Sequence, residues 1–422
     1  MPSVSKVGDK RKSKKHTIVS NDTAKRVKVS HRSHQTEPGA VLCVGNGDVG
    51  QLGLGPDVLE KTRPCLVNLP DQIVQVCAGG MHTVCLSKSG KVYTFGCNDE
   101  NALGRDTSKE GSETEFSLVD IPENIVQVSA GDSHTAALSE DGKVFVWGNF
   151  RDASGSIGLT EAGPQAIPLQ YLPNEVFVKV ASGGDHLLLL TIDGRIYTAG
   201  CAEQGQLGRI ASHFTERGGR KGLELLLTPE VVRCKLSRKS QPKFTDIWAG
   251  QYTSFAQDSN GNIYAWGLNN YFQLGLSDME NRFTPEKVES FKCSKEWLDI
   301  VGGQHHTVAL SSDNHVYTFG RSEYGRLGLG ENVSETKEPT LVKALQDEKI
   351  VAIGAGAAVS YAITSDGVFY SWGMGTNYQL ASGSDDDSWI PTVMSGKQLT
   401  DRKGASISGG GQHCVLLCKL SS

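Results

Sequence analysis

No run of this sequence approaches the roughly 18 consecutive apolar residues that a membrane-crossing helix needs. A hydrophobic leader is missing too, because the first 39 residues are basic instead. There are ten cysteines, yet none falls in a CxxC pair and their spacing outlines no disulfide framework. That argues against zinc ribbons and stapled secreted folds, and for a reducing interior, cytosol or nucleus. Signatures of covalent catalysis are absent: no GxSxG, no HExxH and no Walker phosphate loop. Nor is there a zinc-finger spacing or a recognition helix to read base sequence. No metal ligand set and no cofactor is expected.

Glycine, by contrast, is abundant at 49 residues, and many glycines recur in phase. Segments beginning at Ile73, Ile125, Phe177, Phe244, Trp297 and Ile350 align without gaps, as in IVQVSAGDSHTAALSEDGKVFVWG from Ile125. Their loop glycines are Gly79, Gly131, Gly183, Gly250, Gly303 and Gly356, and Gly410 opens an incomplete seventh unit. The intervals are 52, 52, 67, 53, 53 and 54 residues. A period of this size marks a propeller or solenoid, in which no unit buries its apolar face alone. Each unit reads strand, AGxxHT turn, strand, DG or NG turn, strand, WG or FG exit, then QLG. DG and NG supply the positive φ that tight hairpins require. Four-stranded antiparallel blades satisfy the pattern, so the fold class expected is all-β, a seven-bladed β-propeller.

The two chain ends complement one another. The seventh unit stops at SISGGGQHCVLLCKL, and its missing half appears at the start as VLCVGNGDVGQLG from Val41. The last blade is therefore expected to be shared between both ends, which a linear solenoid would not need. This also disposes of a decoy. Gly45, Gly47 and Gly50 match the dinucleotide-binding spacing GxGxxG, but helix breakers follow where that motif needs a helix. Five histidines recur in phase, His82, His134, His186, His306 and His413. One per blade around a ring, they suit hydrogen bonds to the backbone better than a shared metal.

Charge is divided unevenly. Residues 1–39 hold ten Lys/Arg against three acids, a surplus of seven; with a net charge of −5, the remainder carries −12. A basic arm on an acidic body points to two partners of opposite charge. The domain division expected is a basic, disordered tail over 1–34 and a propeller over 35–422. Within the tail, Lys10–Lys15 and Lys25–Lys28 form two clusters suited to a bipartite nuclear import signal and to phosphate contacts.

With the period, AGxxHT, DGxVYxWG, QLG, SHRSHQTEPG, FRDASG and RGGRKGLE in hand, the chain resembles the regulator-of-chromosome-condensation family over about residues 35–420. The resemblance implies a guanine-nucleotide exchange factor for the small GTPase Ran, one that makes no covalent bonds. It would promote GDP release and GTP loading while bound to nucleosomes, and so supply Ran-GTP at chromatin for nuclear transport, spindle assembly and nuclear envelope formation. It assigns GTPase contacts to Asp48, His82, Asp132, Asp185, Arg209, His305 and His413. It also makes the loop carrying Arg151 and Asp152, after Trp147, a wedge against the GTPase. Arg217 and Arg220, in the insertion that lengthens the 67-residue interval, are assigned to the acidic patch of the histone dimer. Lys10, Arg11, Lys25, Arg26, Lys28, Lys235, Arg238 and Lys239 are assigned to DNA phosphates, with no base-specific readout. The two sets are implied to lie on opposite faces of the ring. An import receptor on the basic tail and a location in the nucleus, on chromosomes, complete the implied picture. Where the family carries a histidine, this chain has Phe272. Two other readings of the repeat are a chromatin-binding propeller without exchange activity and a photoreceptor propeller, the latter needing a crowded tryptophan cluster.

Overall fold

The computed structural model of the chain describes residues 28–217, 219–236, 240–291 and 296–420. Seven four-stranded antiparallel sheets form, together with one two-stranded hairpin. Six blades are continuous in sequence, covering residues 73–119, 125–171, 177–231, 244–287, 297–341 and 350–393. The seventh takes Arg402–Gly409 and His413–Leu420 from one end of the chain and Ala40–Asn46 and Glu60–Val67 from the other. Ala40 lies opposite Cys418 and Gly45 opposite His413, so both ends share one ladder as the sequence implied.

Burial follows position in the blade. Second strands such as His82–Ser87, His134–Ser139 and His186–Thr191 are buried at every residue. Covered on both faces by neighbouring blades, they show no alternation: an apolar middle is flanked by buried His, Thr and Ser. First strands line a central channel of about 250 Å³ with small residues, among them Ala78, Ser129, Ser182 and Ala249. Fourth strands face outward and carry exposed residues such as Ile167 and Ile390.

The exit glycine of each WG or FG is fixed by sterics. Gly148 sits at φ +97°, and a Cβ there would stand 2.3 Å from the carbonyl oxygen of Ser133 in the neighbouring turn. Only glycine lets the exit turn and the AGxxHT turn lie side by side. These turns form one rim of the ring, and the DG turns form the other. Gly45 obeys the same rule, and Asn46–Gly50 continues as a turn with no helix, so the GxGxxG spacing is a blade exit.

The boundary between tail and propeller needs correction. Residues 28–34, expected in the tail, contact the propeller. Val29 is buried and donates its N–H to the Glu140 carbonyl at 2.7 Å. Arg32 Nε donates to Asp246 at 2.7 Å, on the carboxylate that also receives Lys179 Nζ at 2.6 Å. His34 contacts the Val178 carbonyl at 3.1 Å. Residues 28–39 thus cross the DG-turn rim as a strap. Burial pushes the Asp246 carboxyl up, but Lys179 and Arg32 outweigh it and hold it below its ordinary range.

Candidate functional site

Four of the five repeat histidines are clamped between blades. His82 Nε2 meets the Thr135 hydroxyl at 2.9 Å and His413 meets Thr83 at 2.8 Å. His186 meets Ser254 and His306 meets Ser360, each at 2.9 Å. The hydroxyl in turn donates to a carbonyl of the preceding QLG segment, Thr135 to Ala102 at 2.9 Å and Ser254 to Gln206 at 2.8 Å. His134 is the exception, since Leu187 occupies its hydroxyl position and neither ring nitrogen has a partner. Burial pushes His82 down to about 4 and His134, His186, His306 and His413 to about 3, so all five are neutral. For His82 and His413 the expected GTPase contact has no exposed ring to act through; both imidazoles hold the turns in place.

The same rim carries the other expected residues. Asp132 and Asp185 stand in adjacent AGxxHT turns. Asp132 Oδ2 accepts from Gln251 Nε2 at 2.8 Å, and burial raises its carboxyl above the ordinary range. Asp185 Oδ1 accepts the backbone N–H of Arg151 at 2.8 Å. Burial, with the negative charge of Asp132 beside it, pushes Asp185 up to about 7. Neither carboxylate has a cationic side chain within ion-pair distance among the described residues. Half-buried carboxylates whose charged form is disfavoured in this way are stabilised by an arriving cation.

Between them rises the wedge. Phe150–Asp152 and Gly155–Gly158 pair as a short hairpin projecting from the second blade. Phe150, Ile157 and Leu159 root it in the core. The Arg151 guanidinium pairs with Glu100 on the first blade, and Ala153 donates its N–H to Glu203 on the third at 3.1 Å. Two basins flank it. One of about 550 Å³ is lined by Asp99, Glu100, Asp132, Arg151 and Asp185. The other, of about 520 Å³, is lined by Asp152, Asp185, Glu203, Tyr252 and His305. His305 stacks edge-on against Tyr271 at 5.1 Å, and burial together with Arg326 and Arg321 lowers its imidazole to about 4. Asp48 is exposed on this rim and accepts from Gln51 at 3.2 Å.

Arg209 lies elsewhere than expected. Its side chain is 5% exposed, and its guanidinium donates to the carbonyls of Thr198, Leu225 and Thr228 at 3.1, 2.9 and 3.0 Å. These bonds, with the Glu230 carboxylate at 3.6 Å, commit its guanidinium to bracing the third blade. Glu100, Gln251 and Glu203 are the rim residues that sequence reasoning passed over. Gln251 was findable, because it varies in the AGxxHT turn as Asp132 does. Glu100 and Glu203 carry no such phase signal.

Of the chromatin set, Arg220 and Lys235 are exposed, and Lys28 pairs with Glu140 at 2.7 Å. Lys10, Arg11, Lys25, Arg26, Arg238 and Lys239 lie outside the described residues. Lys28 and the strap lie on the DG-turn rim, across the ring from Asp132. Arg217 does not keep to that division. Its Nη2 stands 3.2 Å from Asp152 Oδ1 in the wedge, so the insertion and the hairpin touch. Trp147, Trp266 and Trp372 occupy the same place in the second, fourth and sixth repeats, each donating its indole N–H to a QLG-segment carbonyl at 2.8, 2.9 and 3.1 Å. They are accounted for as interblade struts.

Residues 40–416 match the model of the RCC1-like domain. Over 400 residues the chain is 56% identical to the regulator of chromosome condensation of Homo sapiens, covering 94% of each. It is similar to the crystal structure of Prp20p from Saccharomyces cerevisiae, studied for its binding to Gsp1p and histones, with a TM-score of 0.82, 28% identity and 94% of each chain covered. It is similar also to yeast RCC1 (Prp20) bound by Kap60, with a TM-score of 0.85 and 27% identity over 98% of this chain and 97% of that one.

Proposed function

Because this chain belongs to the regulator-of-chromosome-condensation family, we propose that it is a chromatin-bound guanine-nucleotide exchange factor for a Ran-type GTPase, acting from the nucleus. The observation that carries the reading is the Asp132–Asp185 pair, two half-buried carboxylates without a cation among the described residues, beside the wedge hairpin. An exchange factor forms no covalent bond; it binds the nucleotide-free GTPase better than the loaded one, and linkage makes the effect reciprocal. A ten-thousandfold acceleration of GDP release requires about 5.5 kcal/mol of selective stabilisation, at ~1.4 kcal/mol per decade. Cationic side chains of the GTPase settling over Asp132 and Asp185 relieve their desolvation and contribute part of that. The exposed hairpin tip at Ala153 and Ser154, held from three sides, presses toward the GTPase's phosphate-binding region.

Binding to nucleosomes is assigned to the opposite rim and to the insertion: Lys28, Lys235 and the tail toward DNA phosphates, Arg220 toward an acidic histone surface. The yeast relative studied with histones and the one bound by Kap60 support a chromatin partner and an import receptor. GTP loading follows from release wherever GTP is in excess.

The test mixes catalytic amounts of the chain with Ran carrying labelled GDP. Release at a rate that scales with the added protein is expected. Asp132→Ala with Asp185→Ala lowers that rate at least tenfold while the melting temperature holds or rises, since two carboxyl groups whose charged form burial disfavours are removed. A double variant as fast as wild type overturns the assignment of the rim. No release by the wild type leaves the chromatin-binding propeller without exchange activity.

A further inference from the structure

The insertion was expected to serve histones alone, yet one of its two arginines is already committed elsewhere. Arg217 Nη2 reaches Asp152 Oδ1 at 3.2 Å, 65 residues away in sequence. The Asp152 side chain is 2% exposed, whereas that of Arg217 is 45% exposed. Oδ1 also takes the Ser154 N–H at 2.8 Å, and Oδ2 is buried without any partner. A buried carboxylate in that state depends on whatever cation remains near it. Among the described residues Arg217 is its one ion-pair partner.

The surroundings make the contact more than a chance meeting of long side chains. Arg217 adopts φ +45°, a left-handed backbone that a non-glycine residue takes up only under constraint. The insertion is also anchored to the base of the wedge. Ile210, Leu226 and Leu227 are buried in the same core as Phe150, Ile157 and Leu159. The hairpin therefore has four restraints around its tip: Glu100 on the Arg151 side chain, Asp185 on the Arg151 N–H, Glu203 on the Ala153 N–H, and Arg217 on Asp152. In three the surrounding protein supplies an acceptor, and only Arg217 supplies a positive charge.

We propose that Arg217 is a positioning residue for the wedge, belonging to nucleotide release rather than to histone docking. It fixes the Asp152 carboxylate and, through it, the aim of the hairpin tip. Arg220, exposed and without an ion pair among the described residues, is left to meet an acidic surface.

The inference rests on the exchange reading, and its test has one readout that does not. Wild type, Arg217→Ala, Arg217→Lys and the swap Arg217→Asp with Asp152→Arg are compared. Hydrogen–deuterium exchange over residues 150–158 reads the hairpin directly: Arg217→Ala speeds it, and Arg217→Lys restores most of the protection. In GDP release with the GTPase titrated, kcat of Arg217→Ala falls roughly two- to fivefold with KM nearly unchanged, the scale of a half-exposed pair. The swap exceeds the product of its two single variants. In a nucleosome gel shift, Arg217→Ala binds within about twofold of wild type. Unchanged amide exchange in the hairpin overturns the proposal, as does a rise in KM at constant kcat or a gel-shift loss larger than the kcat loss. If wild type releases no GDP, the exchange reading fails, and the amide-exchange result still decides whether Arg217 positions the hairpin.

Discussion

The histidine of AGxxHT and the hydroxyl that follows it work as a pair across a blade boundary. Thr135 receives the ring of His82, while His134, its chain neighbour, packs against Phe150 at 4.7 Å, the next blade carrying Leu187 where the hydroxyl would stand. The sequence shows the phase of both residues, so their structural role was legible. Which hydroxyl serves which ring was not, because partners such as His82 and Thr135 stand 53 residues apart. Five neutral imidazoles have a consequence for acid stability. Their folded pKa values of about 3 to 4 lie below the unfolded value of about 6.5, so the unfolded chain binds more protons between those limits. Stability from these groups is complete above pH 6.5 and falls as pH drops toward 4, by up to about 1.4 kcal/mol per unit for each ring. Asp185, raised to about 7 from 3.8, and Asp132, also raised, act oppositely and favour the folded state on acidification, but the five rings together with His305 outnumber them. Melting temperature measured from pH 7 to pH 4.5 should fall steeply. A flat profile would mean that the rings are charged and solvated in the fold.

Among the elements, the blades were read correctly and their attachments were not. Blade strands repeat, so each copy confirms the others, whereas the strap and the insertion occur once. The polar run FRDASGS gave away the wedge by its extra length, but the hold of Arg217 on Asp152 is a tertiary contact with no local trace. The strap was hidden by composition, since Lys28 and Arg32 read as part of a basic arm. Arg32 is instead engaged with Asp246, and Val29 with Gly142 and Glu140. Two truncations separate arm from strap. Removing residues 1–27 leaves every described contact in place, so the melting temperature should not change while nucleosome binding weakens and loses salt sensitivity. Removing residues 1–34 also deletes Arg32, His31, His34 and Val29, and should lower the melting temperature by several degrees, for a loss of about 1–3 kcal/mol. Equal melting of the two shortened proteins would show that the strap contributes nothing to the ring.

At the scale of the whole molecule, the ring has two rims of different character. One bears Asp132, Asp185 and the wedge, and the other bears the strap and the start of the arm. Closure depends on the ladder between Ala40–Asn46 and His413–Leu420. Deleting residues 410–422 removes that strand and parts the inner strand Arg402–Gly409 from the outer pair Ala40–Asn46 and Glu60–Val67, leaving open edges within the last blade. The shortened chain should lose cooperative melting and aggregate, and a wild-type transition would rule out closure by shared strands.

The same ladder dictates timing. As the chain leaves the ribosome, Ala40–Asn46 emerges among the first structured segments, and its partner His413–Leu420 comes out last of all. At about 5–20 residues per second, the first strand waits tens of seconds for its mate. Throughout that interval the apolar strand Val41–Val44 and the flank of the first blade stand bare. A nascent chain so exposed is a natural client for chaperones that shield strand edges during synthesis, and pairing with His413–Leu420 covers that edge in the finished ring.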